Sequence, residues 1–499
     1  MSFEERPSPK IRIGGALAAA VAVVLQSLWL AAWYPAAYLD ADLLSYLSYF
    51  RDLRSGATAA FGYTVPKVLP VMLLGPFGSP EAAFVVSVLV AGIGGALVFA
   101  IAAETFGVVA AVLASVAYVF DPLRSVLTVR SSADLYVGVA LLAAMWALLR
   151  RAPLAVGAAV LVAALAKPLA AVCGFVVLAM PGVPLSRRLV AVLVPFLAIP
   201  AAVALDAGLD GRSVLAAIFS MKLPDEHAQF VRVAEGKPLD WRDTLQLVFS
   251  DWFGKLLFAR TWLLVLIGAA VYAVRTRARE AGESADAWLA VLAIPLLLTA
   301  AYVGLATLEP FVFFMRFLWI LSVAATILAA YGAAAIASRA PVPSVARAGL
   351  LAVFAAALLA DRWDDFRWRE PLMLAPFEKH ARIAERGVAM IADEHACDGA
   401  AVVPLAYLPL AAWRVPGKLH RGELCATEDW AAGRGCAEAT CMLVIPEAPT
   451  TAPAREAAAR ALEEGWMVQI EEPAGAALVR AKRDGEAAAA SRVPPYRVG

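Results

Sequence analysis

Long apolar segments recur along the first 360 residues of this chain, and this feature restricts its fold more than any other. A helix needs roughly 17–25 apolar residues to cross a hydrocarbon layer about 30 Å thick, and the segments approach that length. Hydrophobic residues make up 62% of the 499 residues, and the mean hydropathy is +0.72, which exceeds what a soluble globular chain buries. The sequence therefore predicts a polytopic α-helical membrane protein.

About eleven membrane spans are predicted, several of them short or joined by a tight turn. The proline-containing segment 65–77 is a further apolar stretch, which is interpreted as a re-entrant piece. The predicted spans are 11–33, 81–103, 106–120, 133–149, 153–166, 168–181, 189–205, 256–274, 287–306, 311–337 and 346–360. Together they assign residues 1–360 to a membrane domain.

The orientation follows from the basic residues near the span ends, because Lys and Arg in short loops stay in the cytoplasm. With the N-terminus inside, all of the basic clusters fall on the cytoplasmic side. These clusters are Lys10 and Arg12, Arg150 and Arg151, Arg187 and Arg188, Arg275 to Arg279, and Arg339 and Arg347. An odd number of spans then places the long loops 34–80 and 206–255, and the tail after residue 360, on the outer side.

The tail changes from apolar spans to shorter, mixed segments. Residues 361–483 are predicted to form a small external α/β domain, and residues 484–499 a disordered end. The predicted elements are helices at 376–394 and 453–465, strands at 400–404 and 441–445, and a strand pair at 466–481.

Four of the five cysteines lie in this tail, at Cys397, Cys425, Cys436 and Cys441. Outside the cytoplasm they predict two disulfides, whose pairing is open because four cysteines allow three connectivities. Their spacing lacks the paired CxxC arrangement of a zinc site. The sequence therefore predicts no structural metal in the tail.

Two aspartates, Asp40 and Asp42, follow the first span where the chain leaves the membrane on its outer side. The residues after them, up to Gly56, have aromatic and basic side chains at helical spacing. Such a segment is typical of an amphipathic helix on the membrane surface. Free N–H groups at its start would keep a carboxylate ionised and fit for work as a base.

These residues resemble the GT-C superfamily of polyprenyl-phosphate-sugar-dependent glycosyltransferases, including the protein O-mannosyltransferase-like and aminoarabinose-transferase-like branches. The first resemblance is an Asp, a Tyr four residues later and a closing Gly, which are Asp42, Tyr46 and Gly56. Further segments in the family's order are Phe-Gly-Ser-Pro-Glu at 77–81, Thr-Phe-Gly at 105–107, Arg-Ser-Ser-Ala-Asp at 130–134, Ala-Leu-Ala-Lys-Pro at 164–168 and Glu-Pro-Phe-Val-Phe-Phe-Met-Arg-Phe-Leu at 309–318. Many relatives carry two adjacent acids, whereas this chain has Asp-Ala-Asp.

The resemblance implies a GT-C-like fold in which an external Asp is the catalytic base. The Tyr46 spacing favours Asp42, and Asp40 is the alternative. Arg316 would face the donor phosphate, and Lys67, Arg130 and Lys167 are further phosphate-binding candidates. Tyr46 and Glu309 would support the acceptor or the site. No cofactor is required, because a lipid phosphate is already a leaving group and needs only a base and positive charge. A divalent cation stays open, but the sequence gives no support for it.

The sequence thus predicts a bacterial inner-membrane enzyme that moves a hexose or pentose, with inversion, from a polyprenyl-phosphate donor to a cell-envelope glycan, lipid or protein. Two other classes stay open, a transporter or flippase of lipid-linked sugars and a non-catalytic membrane scaffold. The balance of 43 basic and 42 acidic residues gives no support to nucleic-acid binding.

Overall fold

The fold is taken from a computed structural model of the full chain. The described residues are 8–36, 39, 41–56, 67–180, 182–210, 242, 268–271, 286–308, 319–339, 343–392, 397, 399–404, 407–421, 423–427, 430, 439–444, 460–461, 463, 467–471 and 477–480. Helices dominate up to residue 392, and a small sheet follows.

The helices of the first part are numbered α1 to α13 in chain order. Their bounds are Pro9–Trp33, Ala41–Ser55, Val68–Leu74, Pro80–Phe106, Val108–Val119, Pro122–Val129, Ala133–Leu149, Pro153–Ala166, Leu185–Leu193, Ala198–Asp210, Asp286–Leu308, Trp319–Arg339 and Ser344–Ala392. Three 3-10 segments lie among them, at Gly75–Phe77, Pro168–Ala179 and Val194–Leu197.

Four helices of the described chain are long and apolar enough to cross a membrane, and a bent pair makes a fifth if α5 and α6 form one span. The four are Pro9–Trp33, Pro80–Phe106, Leu185–Leu205 and Trp319–Ala337. Other predicted spans correspond to shorter apolar helices. The span at 256–274 lies mostly outside the described residues, so the number eleven stays a prediction. The polytopic helical membrane fold itself is confirmed.

Local sequence signals explain where these helices begin. The Ser79 hydroxyl accepts a hydrogen bond from the Ala82 amide at 3.2 Å, and Pro80 follows at the first helical position of α4. Small residues then let α1 and α4 approach closely. A side chain at Gly95 would stand 3.1 Å from the Ala19 carbonyl oxygen, so glycine is required by this contact.

Charged residues mark one end of the bundle. Near the end of α4, the Glu104 carboxylate pairs with Arg12 at 3.4 Å and with Arg150. Both arginines belong to the clusters predicted to be cytoplasmic. Helix α4 has 27 residues and is therefore about 40 Å long, so its start at Pro80 lies at the opposite end of the bundle. Helix α2 contacts α4 and also the 3-10 segment Gly75–Phe77, which precedes that start in the chain.

Helix α13 joins the two parts of the chain. The sequence predicted a span at 346–360 and a separate helix at 376–394, but the structure has one helix of 49 residues, Ser344–Ala392. The predicted change of character at residue 361 therefore falls inside a helix and not at a break. Leu374, halfway along it, is buried against α1 and α6 through Leu30, Val126 and Val129.

The C-terminal part, which the sequence predicts to be external, contains a five-stranded sheet. Its strands β1 to β5 are Ala400–Val403, Leu424–Ala426, Ala439–Val444, Met467–Glu471 and Ala477–Arg480, in the order β2-β1-β3-β5-β4. Strand β1 is parallel to β2 and β3, whereas β5 is antiparallel to β3 and β4. Two short helices, α14 at Leu408–Arg414 and α15 at Pro416–His420, connect β1 to β2.

The predicted strands near 400 and 441 and the strand pair at 466–481 are confirmed, and with them the α/β character of the tail. Strand β2 was not predicted, because three residues are too short to show an alternating pattern. The predicted helix at 453–465 is described only at 460, 461 and 463, which are helical. The segment 484–499 lies outside the described residues.

Disulfides were predicted in the tail, and one joins Cys397 to Cys441, with Cα atoms 5.9 Å apart. It fastens the chain before β1 to strand β3. Cys425 is also disulfide-bonded, whereas Cys436 lies outside the described residues. Cys173, in the membrane part, is buried and free.

Candidate functional site

Asp42 stands in the first turn of α2, the short helix that follows the first span. One face of α2 is buried through Leu43, Leu44 and Leu47, which pack into the main core. The helix ends before Gly56, whose φ of +69° is a backbone conformation that favours glycine. The predicted helix after the first span is therefore present, and Asp40 lies outside the described residues.

Asp42, Tyr46 and Lys67 come together beside this helix. The Lys67 ammonium lies 3.4 Å from Asp42 Oδ1 and donates a hydrogen bond to the Tyr46 hydroxyl at 3.1 Å. Asp42 and Tyr46 are one turn apart and point to the same side of α2. Lys67 comes from the residue before α3, across a connection outside the described residues. The structure thus joins three of the predicted site residues.

The exposure of these side chains allows them to meet a substrate. The Asp42 side chain is 28% exposed and that of Lys67 is 16% exposed. A carboxylate in this position can accept a proton from a hydroxyl group. The neighbouring ammonium can attract a phosphate, since it carries three donors and a fixed positive charge. Base and cation therefore stand side by side.

A second ion pair joins two other predicted elements. The Lys167 ammonium, just after α8, lies 2.5 Å from Asp134 Oδ1 at the start of α7. Ser132 donates to the other carboxylate oxygen at 3.3 Å, and the Tyr302 ring lies 5.9 Å from the ammonium. The sequence predicted Lys167 and Arg130 as phosphate-binding candidates. In the structure Lys167 is only 13% exposed and holds Asp134 itself.

Arg130 lies near this pair in the chain, as the residue that ends α6. The link to α7 is tight, with Ser131 at a φ of 50° and Ser132 capping α7 through the Asp134 amide. Two predicted residues, Arg316 and Glu309, lie outside the described residues, as does nearly all of the loop 206–255. Their roles stay predictions.

Sequence reasoning missed a buried arginine in the membrane part. Arg124 is fully buried, and its guanidinium donates to Gln26 Oε1 at 2.5 Å, to Ser27 Oγ at 2.8 Å and to the Val119 carbonyl oxygen at 2.5 Å. It therefore ties α6 to α1. The signal in the sequence was an arginine in the first turn of an apolar helix, two residues after Pro122.

It also missed the function of Arg51, near the end of α2. Its guanidinium bonds the carbonyl oxygens of Ala412 and Trp413, both at 3.3 Å, in helix α14 of the external domain. No local sequence pattern shows this contact, because its two sides are more than 360 residues apart. Within the described ranges, no group of three or more His, Cys, Asp or Glu side chains is placed to hold a metal ion.

Two solved structures of ArnT from Cupriavidus metallidurans are similar to this chain. The apo structure aligns with a TM-score of 0.52 at 14% identity and covers 91% of this chain and 97% of ArnT. The structure bound to undecaprenyl phosphate aligns with a TM-score of 0.53, also at 14% identity, over 92% and 97% of the two chains. No protein-family profile and no curated protein matches the sequence. The alignments cover more than nine tenths of each chain, so the fold of this chain is similar to that of ArnT, as the sequence resemblance led us to expect.

Proposed function

We propose that this protein is a membrane glycosyltransferase that takes a sugar from a polyprenyl-phosphate donor and transfers it to an acceptor on the outer side of a bacterial inner membrane. The observation that carries the proposal is the contact between Asp42 and Lys67 at the start of α2. In the proposal Asp42 is the base and Lys67, in contact with it, is the phosphate-binding cation, in a chain whose fold is similar to that of ArnT. One of the similar ArnT structures holds undecaprenyl phosphate.

In the proposed reaction the acceptor hydroxyl attacks the anomeric carbon of the sugar from the side opposite the phosphate. Asp42 takes the hydroxyl proton while the new carbon–oxygen bond forms. The bond between the anomeric carbon and the phosphate oxygen breaks, and the polyprenyl phosphate leaves with one more negative charge than the donor had. The anomeric configuration is therefore inverted.

Positive charge beside the leaving phosphate accelerates this step, because the negative charge grows between the bound donor and the transition state. Lys67 supplies that charge within 3.4 Å of the base. Tyr46 holds the Lys67 ammonium through its hydroxyl and so fixes the distance between cation and base. Arg316 is the proposed second cation, and Lys167 and Arg130 are further proposed phosphate-binding residues.

The test is a transfer assay in nanodiscs with a panel of polyprenyl-phosphate sugars. Asp42→Asn keeps the size of the side chain but removes its basicity, so turnover should fall at least about 100-fold, the range of a lost general base. Asp40→Asn is the matched control, since it makes the same change two residues away. Loss of turnover in the Asp40 variant alone would move the base to Asp40. An inactive wild type would instead favour transport of the lipid-linked sugar or a scaffold role.

A further inference from the structure

The external domain contacts the helix that carries the proposed base. Helix α14 packs on α2, and the contact includes a bidentate arrangement of Arg51. Its two terminal nitrogens donate to the carbonyl oxygens of Trp413 and Ala412. These carbonyls belong to the last turn of α14, where helix oxygens lack partners within the helix. A cation at a helix C-terminus is also favoured by the helix dipole.

The Arg51 guanidinium is oriented by more than these two bonds. Its Nε donates to Asp52 Oδ1 at 3.1 Å, and the Asp52 side chain is fully buried. Its plane lies over the Trp413 ring, with 5.5 Å between the guanidinium carbon and the ring centroid. Such stacking is worth about 0.5–1 kcal/mol at exposed sites and more when water is excluded. All three nitrogens of the group therefore have defined acceptors.

Helix α14 is itself held within the external domain. Arg414, its last residue, pairs with Glu385 on α13. The next helix, α15, is anchored by Lys418, whose buried ammonium donates to the carbonyl oxygens of Cys397 and Gly399 at 2.8 and 2.7 Å. Cys397 is in turn bonded to Cys441 of β3. A continuous set of contacts thus leads from the sheet to α14 and then to α2.

Asp42 and Arg51 lie nine residues apart on one helix, about 14 Å along its axis. A helix this short moves as a rigid rod, so a contact at one end affects the position of the other. Helix α2 also contacts the 3-10 segment at Gly75, where an added side chain would stand 2.2 Å from Phe50. Phe50 and Arg51 are adjacent, and both fix the end of α2 away from Asp42.

We propose that the external domain holds α2 in place through Arg51, and that Arg51 is a positioning residue for Asp42. The proposal rests on the proposed function, in which the distance from Asp42 to the acceptor hydroxyl limits the rate. Small displacements of a reacting group cost large factors in turnover, up to about 100-fold for 1 Å. Loss of the Arg51 contact should therefore lower kcat and leave the KM for the lipid donor nearly unchanged.

The experiment measures kcat and KM for wild type, Arg51→Ala, Arg51→Lys and Trp413→Ala in nanodiscs. Arg54→Ala is the matched control, because Arg54 is an exposed arginine on the last turn of the same helix. Arg51→Ala should lower kcat roughly 10-fold or more. Arg51→Lys should have a kcat between those of wild type and Arg51→Ala, since lysine cannot donate to two carbonyls in a fixed plane. Trp413→Ala should lower kcat although it leaves the sequence of α2 intact. Arg54→Ala should match wild type.

Hydrogen exchange of residues 41–47 provides a second readout that does not need activity. Arg51→Ala and Trp413→Ala should increase exchange there, whereas Arg54→Ala should not. Wild-type kcat and unchanged exchange in Arg51→Ala would overturn the proposal. If Arg51→Ala does not fold, Trp413→Ala and Arg51→Lys decide by the same two measurements. An inactive wild type would contradict the proposed function alone, and exchange would still test the link between α14 and α2.

Discussion

Lys67 holds Asp42 from a position 25 residues further along the chain, with 3.4 Å between the Lys67 ammonium and the Asp42 carboxylate. The same ammonium bonds the Tyr46 hydroxyl. One cation therefore organises both polar residues on this face of α2.

Replacement of Lys67 tests this arrangement. Lys67→Met keeps the length of the side chain and removes its charge, so we expect transfer to fall by roughly 100-fold to 1,000-fold, as when a preorganised donor to a developing oxyanion is lost. Lys67→Arg should retain part of the activity because the charge remains. The measurement is single-turnover transfer from a radiolabelled donor. Equal rates for Lys67→Met and wild type would remove Lys67 from the site.

Variants of the buried pair Asp134 and Lys167 distinguish a structural role of Lys167 from a role in substrate binding. Lys167→Met alone leaves the Asp134 carboxylate buried without its cation, which costs about 3–5 kcal/mol of stability. The double variant Asp134→Asn/Lys167→Met removes both charges, so thermal stability should return towards that of wild type. If Lys167 also binds donor phosphate, the double variant folds but has a higher KM for the donor. A double variant with wild-type kinetics would make the pair purely structural.

The disulfide between Cys397 and Cys441 stabilises the external domain. The two cysteines are 44 residues apart, and closing a loop of that size stabilises the folded state by roughly 4 kcal/mol through the entropy of the unfolded chain. The paired variant Cys397→Ser/Cys441→Ser should increase hydrogen exchange in β1 and β3 and leave α4 unchanged. Cys173→Ala is the control, since Cys173 is free and buried. Peptide mapping without reductant should show Cys397 joined to Cys441, and a different partner would contradict this pairing.

Cysteine labelling tests the orientation in the membrane. Ser55 is exposed at the end of α2, and Ser186 is exposed on α9 next to the predicted cytoplasmic Arg187. In intact cells a membrane-impermeant maleimide should label Ser55→Cys, whereas Ser186→Cys should react only after permeabilisation. Low background is expected, because Cys397, Cys425 and Cys441 are disulfide-bonded and Cys173 is buried. The reverse labelling pattern would place the proposed active site in the cytoplasm and refute the outer-side reaction.

Much of the fold follows from local patterns. The apolar lengths predicted the helical membrane part, and the alternation near 400, 441 and 470 predicted strands, because burial imposes a period on the chain in both cases. The helix 344–392 was predicted in two pieces. Hydropathy separates a lipid-facing segment from a solvated one at residue 361, but it contains no signal for a break in the backbone hydrogen bonds.

The candidate site was predicted in part, because only some of its contacts join residues that are close in the sequence. Asp42 and Tyr46 are four residues apart on one helix, so sequence spacing alone places them together. Lys67 was named as a phosphate ligand, yet its contact with both residues depends on how α3 packs beside α2. The contact between Asp134 and Lys167 could not be predicted from local spacing, since the two residues are 33 positions apart in the chain.

The sequence by itself determined that this chain is a polytopic helical membrane protein with a small disulfide-bonded α/β domain, and it located an acidic helix after the first span. These properties depend on composition and on periods of a few residues. Only the tertiary structure decided that Lys67 meets Asp42, that Lys167 meets Asp134 and that Arg51 reaches across to α14. Such contacts depend on packing between segments far apart in the chain, and the sequence around each side chain does not indicate which residue it contacts.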